Sequence, residues 1–210
     1  VDAFQGWAVG AGGRVLASTD GGATWQPQVS GSGADLTAVE FANASTGWIA
    51  AGPAVLRTLD GGASWQGFAL PAGVHALGPD FLGTSLGWAA GQGGSVVRTT
   101  DGGQTGSVSL AAGGAALRDV SMGDAFSGLA VGDQGAIWRT SDGSTWSQVA
   151  GGPASPAPFI RGLAAADAQH AWASTTDSRI LRTTDGGATW SAEPAGTNTS
   201  WDGVSVGDTH

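Results

Sequence analysis

The 210-residue chain contains no cysteine, no tyrosine and no lysine, and only 12% of its residues are charged. Without cysteine it has neither a disulfide framework nor a thiolate metal site, and the redox compartment stays open. Without lysine a Walker A phosphate loop is ruled out. No apolar run approaches membrane-spanning length, so no membrane insertion is expected. The chain starts at Val1 with no signal-peptide pattern, which fits a mature or trimmed soluble domain and leaves export open. Helical 3.6-residue periodicity is also missing. The formal net charge is −9 with a pI near 4.4, which repels phosphate backbones and argues against nucleic acid as a partner.

What the chain does have is 38 glycines and ten tryptophans, a turn-rich profile with few but large core side chains. Five segments align: STDGGATW from Ser18, TLDGGASW from Thr58, TTDGGQTG from Thr99, TSDGSTW from Thr140 and TTDGGATW from Thr183. Their aspartates, Asp20, Asp60, Asp101, Asp142 and Asp185, are spaced by 40, 41, 41 and 43 residues. Before each lies a β-branched run (RVLAS, AVLRT, SVVRT, AIWRT, RILRT), and before that a Gly-Trp-type strand (GWAVG, GWIAAG, GWAAG, GLAVG, AWAST). Earlier still, four runs alternate apolar with small or polar residues, from Leu36, Val74, Leu117 and Ile160. Each repeat therefore predicts four short strands in one twisted antiparallel sheet. A sheet with two apolar faces cannot bury both alone, so the copies stack around an axis.

The expected fold is all-β, a five-bladed β-propeller of four-stranded antiparallel blades forming a single domain over residues 1–210. One blade is split between 201–210 and 1–30; the others cover about 36–70, 74–110, 117–150 and 160–193. The chain opens on a second strand and ends on a first strand, WDGVSVGDTH. Aligning Val1 with Gly207 sets Asp2 over Asp208 and gives a circuit of about 206 residues, or five blades of about 41. The C-terminal strand is expected to close a monomeric ring by pairing with Gly6–Gly10. A fragment of a longer array is the alternative.

In each box the aspartate is suited to accept amides across its own turn, the glycines supply positive φ, and the Ser or Thr hydroxyl adds a local bond, which makes the boxes structural clips. The following Trp25, Trp65, Trp146 and Trp190 are expected to begin the outermost strands and cover the blade edge. The third box has Gly106 instead, and the fourth lacks one glycine, so those two blades are expected to be less well pinned.

At these residues the chain resembles the Asp-box, or BNR, repeat superfamily of bacterial sialidases, sortilin-type receptors, xyloglucan hydrolases and photosystem II stability/assembly factors. The Gly-Trp second strand followed by RT-x-DGG is most similar to the assembly-factor branch. That resemblance implies boxes on the turn between third and fourth strands, away from the ligand face. It also implies a non-enzymatic, chaperone-like scaffold for an assembling membrane protein in the thylakoid lumen, with arginines in the contact. The seven-bladed pattern of that branch differs from the five blades counted here. An extracytoplasmic setting follows from the resemblance: periplasmic, lumenal or secreted.

Sialidase chemistry, by the superfamily pattern, needs an arginine triad, a Tyr/Glu pair and an acid, yet tyrosine is missing and the only glutamates are Glu40 and Glu193. A retaining carboxylate mechanism would have to draw on aspartates. The G-x-S-x-G match at Gly83–Gly87 precedes a strand, not a helix, and reads as a hairpin instead of a nucleophile elbow. His75, His170 and His210 fall at unrelated repeat positions, so no metal site and no cofactor are expected. The sequons at Asn43 and Asn198 matter only in a eukaryotic secretory setting.

Two residue sets are binding candidates. The first is an arginine strip, Arg57, Arg98, Arg139 and Arg182, each three residues before its box aspartate, with Ala17 in the split blade. It reads either as a ladder paired with neighbouring-blade carboxylates or carbonyls, or as a partner-binding surface. The second is the second position of each innermost strand, Thr37, His75, Arg118, Arg161 and Asp202, with Asp119 beside Arg118. These are expected to rim the central channel, as a binding ring or a hydrated edge. The loop from Gly151 to Pro158 is a recognition loop or a stiff spacer. The function expected is a non-catalytic binding or assembly scaffold for a protein partner. A carbohydrate-binding propeller using Trp138 and Trp201 is the alternative, followed by a sialidase-like or xyloglucanase-like hydrolase.

Overall fold

The computed structural model describes residues 4–150, 158–194 and 200–206. Residues 151–157 of the proline-rich loop, Asn198 of the second sequon, His210, and the Asp2 and Asp208 pair lie outside the described residues.

The β-branched runs and Gly-Trp segments form strands, and the Gly-rich boxes turn the chain between them. The first sheet comprises β1 (Gly6–Gly10), β2 (Arg14–Ser18) and β3 (Gln26–Val29). The second holds β4 (Ala38–Phe41), β5 (Gly47–Ala51), β6 (Ala54–Thr58) and β7 (Gln66–Ala69). The third holds β8 (Ala76–Leu82), β9 (Leu86–Gly91), β10 (Ser95–Thr99) and β11 (Ser107–Ala111). The fourth holds β12 (Leu117–Met122), β13 (Gly128–Gly132), β14 (Ile137–Thr140) and β15 (Ser147–Gln148). The fifth holds β16 (Ile160–Ala165), β17 (Ala171–Thr175), β18 (Arg179–Thr183) and β19 (Ser191–Pro194). Each sheet is ordered as the chain runs, so four are meanders of four strands and the first is a meander of three.

Two details differ from the sequence expectation. The box tryptophans stand one residue ahead of their outer strands, and Trp25 is 41% exposed, so it covers its blade edge only in part. Residues 201–206 take no regular strand conformation.

The chain divides into two compact units: Val1–Ala89 with Val97–Val108, and Ala90–Val96 with Ser109–His210. In the first unit, β5 is buried at all five positions, because it lies mid-sheet and is covered on both faces. Val15, Leu36, Ile49 and Leu56 form one core between the first and second sheets, with Trp65 packed against it. Outer strands such as β3 and β7 are mostly exposed, as their Gln-rich sequences require.

An aromatic staple crosses these seams. Trp7 of β1 stacks on Phe41 of β4 with ring centroids 3.5 Å apart, and its indole N–H donates to the Gly61 carbonyl at 3.1 Å. Trp48 repeats both contacts one sheet later, stacking on Phe81 at 3.7 Å and donating to Gly102 at 2.8 Å. The glycine of the Gly-Trp pair has a steric cause in the second and third sheets. A Cβ on Gly47 would lie 2.6 Å from the Phe41 ring, and one on Gly87 would lie 2.4 Å from Phe81. The Gly-Trp signature is thus a seat for one ring followed by another ring that reaches the next sheet.

In the second unit, Leu129, Val131, Ile137, Ile160, Leu163 and Leu181 build the core between the fourth and fifth sheets. Here the seam is aliphatic.

Trp48 is fully buried, and truncating it to alanine is expected to cost roughly 3 to 5 kcal/mol. Trp48→Phe keeps a ring but leaves the Gly102 carbonyl without its donor, and is expected to cost about 1 kcal/mol more than area loss alone predicts. Chemical denaturation of the two variants checks both values.

Candidate functional site

The box geometry is repetitive. The Ser18 hydroxyl donates to Asp20 at 2.8 Å and accepts the Gly22 amide at 2.8 Å; Asp20 accepts the Thr24 amide at 2.9 Å and its hydroxyl at 2.6 Å. Boxes two, three and five repeat this set around Asp60, Asp101 and Asp185. The glycines permit it: Gly61 and Gly62 have φ of 71° and 88°, the left-handed region that L side chains avoid. The third box keeps its full set of bonds despite Gly106. In the fourth the missing glycine tightens the turn, Asp142 accepts the amides of Ser144 and Thr145, and the outer strand β15 shrinks to two residues.

These bonds favour the ionised carboxylate. The hydroxyl of Thr24 first, then its amide and Ser18, hold Asp20 down at about 2; Ser64, Thr105 and Thr189 lead the same effect at Asp60, Asp101 and Asp185. Asp142 is lowered as well, led by the Thr145 hydroxyl.

The arginine strip is set by register. Arg57 is the cross-strand partner of Trp48, Arg139 of Leu129 and Arg182 of Trp172, so each shares a face with the second-strand side chain opposite it. Arg98 lies over the Trp88 ring at 5.8 Å from its centroid. The Arg57 guanidinium approaches the third box so closely that a Cβ on Gly102 would lie 3.0 Å from it. Among the described residues no strip arginine forms an ion pair with a carboxylate, and the buried Nε atoms of Arg57 and Arg98 have no acceptor. Arg139 lines a cavity of about 140 Å³, and Arg182 is exposed.

The second set meets different fates. The β12 and β16 ladders each carry a bulge, between Leu117 and Asp119 and between Ile160 and Gly162, so Arg118 and Arg161 are the residues left out of register. A bulge re-aims the side chain it carries. Arg118 turns to a bidentate pair with Asp133, at 2.8 and 2.6 Å, which raises the guanidinium pKa further. Arg161 stacks on Phe159, 5.6 Å from the ring centroid, and its buried Nε has no acceptor. Thr37 donates to the Leu77 carbonyl at 3.0 Å, while Asp119 accepts the Leu163 amide at 2.9 Å. Both tie one innermost strand to the next. His75 and Asp202 are exposed.

Sequence reasoning missed Asp133, whose only signal is its place in the short turn between second and third strands. It also missed the inter-strand role of Glu40, which accepts the Phe81 amide at 3.0 Å, and of Ser121, which accepts the Ala165 amide at 3.1 Å. Among the described residues, no three His, Cys, Asp or Glu side chains group to hold a metal, and no helix is long and apolar enough to cross a membrane.

Repeated antiparallel meanders, each clipped by an Asp box at the turn into its last strand, define a β-propeller of the BNR-repeat class. The solved β-propeller domain of Doa1 shares this fold, with a TM-score of 0.74 at 15% identity over 95% of this chain and 67% of that one. The family model for the photosynthesis system II assembly factor YCF48 matches residues 1–79 and 64–205, and the chain belongs to that family. A structure of YCF48 bound to D1 peptide is similar at a TM-score of 0.61 and 21% identity, covering 91% of this chain and 79% of that one. The GH74 enzyme of Niastella koreensis is similar at a TM-score of 0.67 and 17% identity, over 86% of this chain and 34% of the enzyme. At such identities these likenesses speak for fold alone. No curated protein matches the chain in sequence.

The boxes make a pH prediction. Carboxylates held below their ordinary value near ~3.9 contribute stability that is complete above that value and lost as pH falls toward about 2. The melting temperature is expected to be flat above about pH 5 and to fall between about pH 4 and pH 2. The double variant Asp60→Asn with Asp185→Asn should start lower and fall less, which a series of melting curves across that range measures.

Proposed function

We propose that this chain is a non-catalytic binding scaffold that holds a segment of a partner protein, with Arg57 and Arg98 making the charged contacts. The observation that carries this is the state of those two guanidinium groups. Each has a buried Nε without an acceptor and no carboxylate partner among the described residues, within a chain of net charge −9. Buried donors of this kind call for an acceptor, and carboxylate is the group that a guanidinium fork fits best. The solved relative bound to D1 peptide supports a peptide as the partner class. The rim is the weaker candidate, since Arg118, Asp119 and Thr37 already have protein partners, and Arg161, whose buried Nε also lacks an acceptor, lies over the Phe159 ring. Glu40 is likewise occupied by a backbone amide, which counts against a hydrolytic role. A periplasmic, lumenal or secreted setting and a monomeric state belong to the same reading.

An array of carboxylate-bearing peptides tests it. Arg57→Ala with Arg98→Ala is expected to weaken binding about tenfold or more, with a steep salt dependence in the parent. Arg118→Ala with Arg161→Ala should leave binding near the parent's. If the second pair of changes abolishes binding and the first does not, the rim is the site. Binding on a glycan array and none on peptides would replace this reading with a lectin-like one through Trp138 and the 38%-exposed Trp201.

We also propose that the five sheets form a closed five-bladed ring in which 201–206 serves as the innermost strand of the first blade. The first sheet has three strands and lacks that position. The Leu36 amide, leading into β4, donates to the Gly10 carbonyl at the end of β1 at 3.2 Å, and Trp201 donates to Thr175 at the end of β17 at 3.1 Å. The same crossover bond thus introduces both segments. Gly203 and Val204 also lie against Gly162 of β16, as a next innermost strand would. Deleting residues 201–210 should lower the melting temperature sharply or cause aggregation. A truncated chain that stays monomeric and melts within a few degrees of the parent would overturn closure.

A further inference from the structure

The seam between the fourth and fifth sheets departs from the staple in three linked positions. Leu129 stands where Trp7 and Trp48 stand in their sheets. Ala165 stands where Phe41 and Phe81 receive those rings, and Ala171 replaces the seating glycines Gly47 and Gly87. Together with Arg139, Asp185 and Gly186, these residues line the cavity of about 140 Å³. That volume is close to the ~150 Å³ of an engineered cavity that takes benzene, but that cavity is apolar whereas this one is lined mainly by polar groups. Gln169, exposed, contributes to its mouth.

The polar lining has a specific lesion. Gly61 and Gly102, each the residue after a box aspartate, give their carbonyls to indole N–H groups. Gly186 holds the same place after Asp185, and among the described residues no donor reaches its carbonyl, because Leu129 has none to offer. Arg139 stands across from Leu129 as Arg57 stands across from Trp48, and Arg98 shows what such an arginine does when a ring is present, lying over the face of Trp88. The carboxylates nearby are already committed: Asp185 to its own box and Asp167 to the amides of Gln169 and His170.

We infer that this cavity is a binding site for an indole-type ligand, a planar aromatic whose ring N–H bonds the Gly186 carbonyl while its face meets Arg139. A protein-borne tryptophan and a free indole share this chemistry. The site stands apart from the peptide reading above, which rests on Arg57 and Arg98.

The test titrates the 210-residue chain with indole and, separately, with N-acetyl-tryptophanamide, by calorimetry and ligand-observed NMR. One saturable site for indole is expected. Leu129→Trp supplies the missing ring from within; it should melt at or above the parent temperature and lose the site. Arg139→Ala, at a half-buried position, should weaken indole about tenfold, as loss of a desolvated cation–π contact implies, and it keeps the test decisive if the tryptophan variant does not fold. Binding of both probes assigns the site to a side chain on another polypeptide; binding of indole alone assigns it to a small molecule, and either upholds the site. No saturation of the parent by indole, or equal binding by the parent and Arg139→Ala, overturns it. Both variants retain Arg57 and Arg98, so peptide binding reports on the other reading independently.

Discussion

The structure depends on one indole hydrogen bond made across a seam. Trp48 leaves its own sheet, lies flat on Phe81 and gives its N–H to a carbonyl of the next box turn. A stack alone would let two sheets slide, since dispersion has little directional preference. The hydrogen bond fixes the slide, because it has one acceptor at one distance. The acceptor in turn is fixed by the box, whose aspartate and hydroxyl lock the turn in which Gly102 sits. The Asp box is therefore a clip within its sheet and an anchorage for the sheet before it.

A second set of bonds works at the innermost strands. Thr37, Glu40, Asp119 and Ser121 each reach from one first strand to a backbone group of the next. Two adjacent first strands belong to different sheets and cannot share a ladder, so their facing amides and carbonyls need side-chain partners: Glu40, Asp119 and Ser121 accept amides, and Thr37 donates to a carbonyl.

The repeat, its four strands and the box bonds were legible in the sequence, because glycine, aspartate and hydroxyl requirements are local and recur at fixed offsets. The stapling role of Trp7 and Trp48 was not, although the Gly-Trp pair was visible. The partners lie 54 residues away, and only the folded chain brings Gly61 and Gly102 to them. The second positions of the first strands stand out in the sequence by their variation, but their use was not readable. Arg118 and Arg161 owe their orientation to bulges that sequence does not announce, and Arg118 meets Asp133 fifteen residues later. The conformation of 201–206 was beyond reach for a similar reason: the alternation in WDGVSV fits a strand, but a strand exists only when its ladder partner is in place.

The changes at the fourth-to-fifth seam are coupled by geometry. The Phe rings of the earlier seams require glycine beneath them, as the 2.6 and 2.4 Å approaches show, so a first strand that carries Ala165 loses the reason for glycine and can accept Ala171. Once the receiving ring is gone, a tryptophan at 129 would find no aromatic partner in the next sheet, and Leu129 instead turns to the box glycine, where a Cβ on Gly187 would lie 2.3 Å from it. The seam is then held by the aliphatic cluster from Val131 to Leu181, which is not directional and needs no carbonyl. Exchanging a directional staple for an area-based contact keeps the sheets together while releasing a carbonyl and a guanidinium from structural duty. A repeat scaffold gains room for specific chemistry at such a position, because the substitutions that open it also remove the groups that would otherwise occupy it.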